Sequence, residues 1–581
     1  MSEYDLKSVN LPKLSGLGLR ALAGALRNPL SRSVLAKKLL ADGGISQLSD
    51  LKPEAAPTFL PVRDAGEKTQ CDPAKGEGNP DLPKDSPEDS LQDLSWWSTL
   101  AQPGSPPTND ARVKKATTLD FARAYRNGET NPVTVANRVL SAIESSQRGD
   151  APLNAMAQWN RDDLLQQATE SRRRLEAGQA RSVLEGVPIA VKDELDMTPY
   201  GTSVGTRFWG GEPAGTDATV VARLRQAGAI LIGKANMHEI GINPSGYNSR
   251  WGAARNPYNV QHDPGGSSSG SASAVAAGLC PVALGADGGG SIRIPAALCG
   301  LAGLKATFGR ISEFGAAPLC WSVAHVGPLG LSMADVALAY YAIAGPDPLD
   351  AHSLHQPAFS TDPLPLQNVE GLKIGVYREW FQHADQEVVS ACEQSLDGLV
   401  QSGAKIVDIT IPKLDQMRVA HAVSILSEMC TSLLNHREHW EELSPATQAS
   451  LYLARSFAPE YYIKAQRLRT EALAVFDQAF ALADVIATPT TAITAPEIPA
   501  GGLKNGWSDL SLTTELMRFA FPSNFTGHPA LSVPVGYDGK GLPIGLQLIG
   551  KHWQEDFLLG LGFKVEAQTA WRAPTTHFPL L

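Results

Sequence analysis

The residues best suited to chemistry in this chain lie in two glycine–serine clusters and on one lysine. The first cluster is Gly265-Gly266-Ser267-Ser268-Ser269-Gly270. The second is Gly288-Gly289-Gly290-Ser291, closed by Arg293 and Pro295. Consecutive glycines ahead of a serine leave several backbone N–H groups free to converge on one point, as an oxyanion requires. Ser291 could then attack a carbonyl carbon while those N–H groups receive the oxygen. A serine hydroxyl also needs a partner to take its proton. The stretch holds no histidine, and the nearest before it is His262. A lysine can serve if burial strips it of water. Lys192 ends the apolar run Val187 to Val191, which is such a setting. Its other reading is a lysine paired with Asp193 or Glu194 at a strand end.

A rival pattern overlaps the first cluster. Gly266-Ser267-Ser268-Ser269-Gly270 spells G-x-S-x-G, the nucleophile elbow, with Ser268 as attacker and Asp484 and His528 in the right chain order. An elbow needs a strand directly before it. Asn259 to Pro264 is a loop sequence with no β run, which argues against this reading.

The elements that must hold these residues follow from periodicity. The Ala-rich run after the first cluster has helical composition, and Val282-Ala283-Leu284 reads as a buried strand, so the glycines are not a free linker. Helices are expected over 119–126, stopped by Asn127-Gly128, and over 133–143, capped by Asn131-Pro132. A third fits 162–177. Strands fit 186–193, 229–233, 372–376, 484–489, 529–535 and 543–549, with a turn at 537–541 between the last two. Helices fit 218–226, 386–402, 557–569 and a long segment from about 417 to 482. This alternation predicts an α/β protein with a large mixed sheet covered by helices on both faces.

A net charge of −10 argues against nucleic acid as the main partner. The six cysteines are scattered, with no C-x-x-C and no Cys/His ligand spacing, so no zinc or other metal is expected, and no cofactor. Cys280 and Cys299 read as small core residues, and a reducing, cytoplasmic setting fits them. No apolar run reaches the ~18–20 residues of a spanning helix, and no signal-peptide pattern is present.

Three regions differ in character. Residues 1–50 form a leucine-rich basic arm, with Lys13, Arg20 and Arg27 spaced by seven and Pro29 breaking the run into two short amphipathic helices. The arm suits a membrane surface, or packing on a second subunit or on its own body. Residues 51–115 are a connector with ten prolines between Pro53 and Pro107, where Trp96 and Trp97 could act as anchors. Residues 116–581 carry the regular elements.

The motifs support a resemblance. Val191-Lys192-Asp193, Gly265-Gly266-Ser267-Ser268 and Gly289-Gly290-Ser291-Ile292-Arg293, continued by Gly300 to Lys305 and Thr307-Phe308-Gly309-Arg310, resemble the amidase signature family from about Leu119 onward. Gly233 to Glu239, Asn256 to Val260, Gly278 to Gly285 and Leu516 to Phe519, with the basic arm, resemble its plant fatty acid amide hydrolase branch. The resemblance implies the amidase signature fold and a Ser–cis-Ser–Lys triad. Ser291 would be the nucleophile, Ser267 the bridging serine after a cis peptide, and Lys192 the base. The N–H groups of Gly288, Gly289, Gly290 and Ser291 would hold the oxyanion. The family usually has glycine where Ser269 stands, so a side chain there could crowd the loop. Asp287 and Arg293 would brace the nucleophile loop, and His238 and His262 would be scaffold.

The implied reaction is hydrolysis of small-molecule amides through an acyl-enzyme, with long-chain N-acyl amides of the N-acylethanolamine type as substrates. Other readings are short, aryl or peptide amides, and the glutaminase subunit of an amidotransferase. The branch further implies a homodimer with peripheral membrane contact. Gly241, Met517 and Phe519, with Phe521, Leu22 and Leu26, are candidates to line the acyl site, although each taken alone reads more readily as core or helix seam.

Overall fold

The computed structural model describes residues 4–7, 9, 13–63, 115–358, 366 and 368–581. Trp96, Trp97, Cys71 and the connector beyond residue 63 lie outside the described residues. An 11-stranded mixed sheet forms the centre. Its strands are β1 (Met156–Gln158), β2 (Pro188–Lys192), β3 (Ile230–Ala235) and β4 (Val282–Ala286). They continue with β5 (Ala302–Lys305), β6 (Val326–Gly330), β7 (Lys373–Val376) and β8 (Lys405–Asp408), then β9 (Val485–Pro489), β10 (Ala530–Tyr537) and β11 (Pro543–Gly550). The spatial order is β1-β3-β2-β4-β6-β5-β10-β11-β9-β7-β8.

Every residue of β2, β3 and β4 is buried, so helices cover both faces there, which explains why these strands read as continuous apolar runs rather than alternating ones. β2 lies parallel between β3 and β4, with Val191 opposite Leu284. Parallel strands end on the same side, so this register sets Lys192 beside the chain that leaves β4 toward Ser291.

Capping fixes the expected helices. Asn131 Oδ1 accepts from Thr134 N with Pro132 in the first turn, and Thr117 and Asp120 form a reciprocal capping box. The segment expected as one helix from about 417 to 482 is four pieces: Leu414–Ser432, a 3-10 stretch Leu433–Glu442, Pro445–Ala454 and Pro459–Leu482. Pro445 and Pro459 each start a new helix, because proline lacks the N–H an interior turn needs.

The arm is two helices, Gly16–Arg27 and Pro29–Asp42, separated where Asn28 Oδ1 caps Leu30 N. Its basic stripe docks on the body. Lys13 pairs with Asp509 at 2.9 Å, and Arg27 pairs with Glu441. Leu14 and Ser15 pair antiparallel with Ser508 and Trp507. Leu19, Ala23 and Leu26 are buried, while Leu17, Leu30 and Val34 stand exposed. Residues up to 63 continue along the helix Pro459–Leu482, where Arg467 donates to Ala55 O and Arg469 to Phe59 O.

Candidate active site

Lys192 leaves β2 fully buried and points at the first glycine–serine cluster. Its Nζ donates to Ser267 Oγ at 2.8 Å and to Ala286 O, at the end of β4, at 3.1 Å. Glu194 Oε2 lies 2.7 Å from the same nitrogen. The two readings of Lys192, serine partner and carboxylate partner, therefore coexist. Asp193 is committed elsewhere, to Ser203 and Lys234.

The Gly266–Ser267 peptide is cis. Asp263 holds the turn before it by accepting from Gly246 N and Gly265 N. Burial pushes the Asp263 carboxyl up to about 7, against the pull of those N–H groups. Ser268 N donates to Ser291 O at 3.2 Å, which ties the two clusters together. Ser268 itself is fully buried, with Oγ bonded to the Ala286 backbone, so the elbow reading has no exposed nucleophile. Ser269 fits as the first residue of the helix Ser269–Ala276, with its Oγ buried and unbonded.

The loop that carries the second glycine–serine cluster is braced by one buried ion pair. Asp287 accepts from Gly290 N, Ile292 N, Asn524 Nδ2 and two nitrogens of Arg293. Burial alone would raise this carboxyl. The Arg293 charge and hydrogen bonds, with Asn524, instead hold it well below the usual carboxylate range. Arg293 also reaches Ala520 O, Ser523 Oγ, Gln547 Oε1 and Asn524 Oδ1, so its guanidinium is well satisfied. The expected brace is in place.

One expected donor is not free. Gly290 N–H is given to Asp287 Oδ1 at 2.6 Å, so it cannot also serve an oxyanion. The N–H groups of Gly288, Gly289 and Ser291 have no acceptor among the described residues. Ser291 Oγ is likewise unbonded there. His421 Nε2 lies 2.8 Å from Gly288 O, and since a carbonyl only accepts, that nitrogen carries the hydrogen. Burial lowers His421 to about 4, so it is neutral near pH 7. A Cβ on Gly289 would fall 2.6 Å from Met517 Cε and 2.9 Å from His421 Cε1, which is why glycine stands there.

Ser267, Ser291, Gly288 and Gly289 open on one cavity. Glu194 and Gly241 lie on its wall, and Cys320, Ala324, Ile425, Met429 and Met517 make an apolar side. Of the three candidates for the acyl site, Met517 and Gly241 line this cavity. Phe519 does not, because it is fully buried and packs its ring against Trp380 at 5.5 Å. Phe521 is also buried, in the core cluster with Phe519. Leu22 and Leu26 of the arm share one apolar cluster with Ile425, Met429 and Cys320, so they back the cavity wall rather than line it. His238 and His262 are buried and bonded to backbone carbonyls, as scaffold. Sequence reasoning missed His421, Ile425 and Met429. They sit on Leu414–Ser432, whose apolar spacing is that of any packed helix.

Comparison with known proteins gives the family. The Amidase family matches residues 137–559. A fatty acid amide hydrolase of Arabidopsis thaliana is 39% identical over 100% of this chain and 96% of its own length. A glutamyl-tRNA(Gln) amidotransferase subunit from Picosynechococcus sp. is 35% identical over 76% of this chain and 96% of its own. The solved structure of native peptide amidase from Stenotrophomonas maltophilia superposes with a TM-score of 0.68 and 30% identity, covering 80% of this chain and 99% of its own. The chain belongs to the amidase signature family of amide hydrolases.

Proposed function

We propose that the chain hydrolyses long-chain N-acyl amides, of the N-acylethanolamine type, to a fatty acid and an amine. The observation that carries the reaction is the 2.8 Å contact from Lys192 Nζ to Ser267 Oγ at a cavity that Ser291 and three unbonded N–H groups share. Ser291 Oγ attacks the amide carbon. Its proton passes to Ser267, whose own proton passes to Lys192 Nζ acting as the base. The N–H groups of Gly288, Gly289 and Ser291 take the developing oxyanion, an electrostatic contribution that is large in a water-poor site. The same relay runs backward to protonate the leaving amine. Water then attacks the acyl-enzyme, again losing its proton through Ser267.

The apolar wall supports a fatty acyl group. Cys320, Ile425, Met429 and Met517 offer dispersion contacts and few hydrogen bonds. The apolar cluster behind that wall continues into the arm, whose outer side exposes Leu17, Leu30 and Val34 beside Lys37 and Lys38. Such a surface suits peripheral contact with an anionic membrane. None of the described helices is long and apolar enough to cross one.

A series of N-acylethanolamines of increasing chain length tests the reading. We expect kcat/KM to rise with chain length until the cavity is filled. Activity that falls beyond a few carbons would leave the short, aryl or peptide amides as substrates. Activity confined to glutamine would leave the amidotransferase role.

A further inference from the structure

Glu194 stands two residues after the triad lysine and is 6% exposed. Its backbone is fixed by Ala317 N, which donates to Glu194 O at 2.9 Å. Its Oε2 meets Lys192 Nζ at 2.7 Å but has no hydrogen-bond partner, and no other donor among the described residues reaches either carboxylate oxygen. A carboxylate offers about four acceptor sites, so this one is far from satisfied. Buried acceptors without partners are uncommon, and one on a cavity wall has a ligand as its natural partner.

The position says which part of the ligand that is. A Cβ built on Gly241 would fall 3.3 Å from Ser267 Oγ and 3.9 Å from Glu194 Oε2. The missing side chain therefore leaves a space bordered by both groups. The leaving nitrogen must lie within hydrogen-bond reach of Ser267 Oγ to take its proton. The amine half of the substrate thus sits on the side of the cavity that Glu194 lines.

We infer that Glu194 determines specificity for the amine half, accepting amines that bear an O–H, N–H or cationic group near the nitrogen and rejecting those that bear a carboxylate there. The inference rests on the proposed relay through Ser267. A carboxylate whose one neighbour is Lys192 has acceptor sites left over, and in a water-poor wall these pair with a donor, whereas a second negative charge placed there meets repulsion.

The test uses the full chain and three amides of one acyl chain: the ethanolamide, the amide of ethylenediamine (a cation at neutral pH) and the amide of glycine (an anion). Their kcat/KM values are compared in the wild type and in Glu194→Gln, which keeps shape and removes charge. Ratios between amines cancel any effect of the substitution on Lys192. In the wild type the glycine amide should be slower than the other two by about ten-fold or more. In Glu194→Gln that gap should shrink by about ten-fold, with the larger relative loss on the cation. Rates that fall in parallel, with ratios unchanged, would overturn the inference and leave Glu194 as a partner of Lys192 alone. A wild type that cleaves the glycine amide as fast as the ethanolamide would overturn it even if the variant does not fold. If no long-chain amide is cleaved, the fatty-amide reading fails separately, and the same three amines on a short acyl group give the ratio.

Discussion

At the scale of single residues, the proposed relay gives three side chains unequal duties. Ser291→Ala should abolish acylation, read as loss of covalent labelling by a fluorophosphonate. Lys192→Ala should lower acylation by about 10²–10⁴-fold, since it removes the general base. Labelling that moved to Ser268 would contradict the assignment. Asp263 makes a second expectation. Its folded carboxyl sits near 7, above the ordinary value of about 3.9. A raised acid stabilises the fold fully below the unfolded value and loses that contribution as pH rises through the folded one. The thermal midpoint of Asp263→Asn, relative to wild type, should therefore rise between pH 5 and pH 8. A constant difference would show that Asp263 is ionised throughout. The residues proposed to react were legible in the sequence because glycine clusters and a lysine at a strand end are locally unusual. The rest of the site was less so. An apolar residue such as Ile425, Met429 or Phe519 has the same local spacing whether it faces a cavity or the core, and only the fold separated them.

At the scale of elements, the loop from Gly288 to Ser291 owes its shape to Asp287 and Arg293 rather than to the glycines alone. Arg293→Ala would leave a buried carboxylate with its charge uncompensated, so we expect a loss of about 3–5 kcal/mol in stability by chemical denaturation, larger than for any exposed arginine. Arg293→Lys should recover only part of this, because an ammonium cannot reach Asp287, Asn524 and Gln547 together. Helix ends were readable where caps were present, as at Asn131. The strands Val326–Gly330 and Lys405–Asp408 went unread. The first carries two glycines and a proline in five residues, a composition that opposes a strand until β4 and β5 pair with it. The second is a partly exposed edge strand with little apolar signal.

At the scale of the whole molecule, the arm joins the catalytic body to an apolar outer surface. The triple variant Leu17→Ser, Leu30→Ser, Val34→Ser should bind anionic vesicles about a hundred-fold more weakly in a flotation assay, at an assumed ~1 kcal/mol per apolar side chain. Its activity on a short, water-soluble amide should not change, because these side chains point away from the body. Unchanged flotation would assign the surface to a second subunit instead. The basic stripe was visible in the sequence, but its partners Asp509 and Glu441 were not, since charge pairing between segments far apart leaves no local trace.

The register of β2 against β4 bears on how activity appears in time. Lys192 meets Ser267 and Ala286 across 75 and 94 residues of chain, and Ser268 reaches Ser291 only after both clusters are seated. Contacts so far apart in sequence form late, after the loops between them have closed. Catalysis on refolding should thus lag the recovery of helical signal, and the first turnover marks the moment the middle of the sheet is assembled.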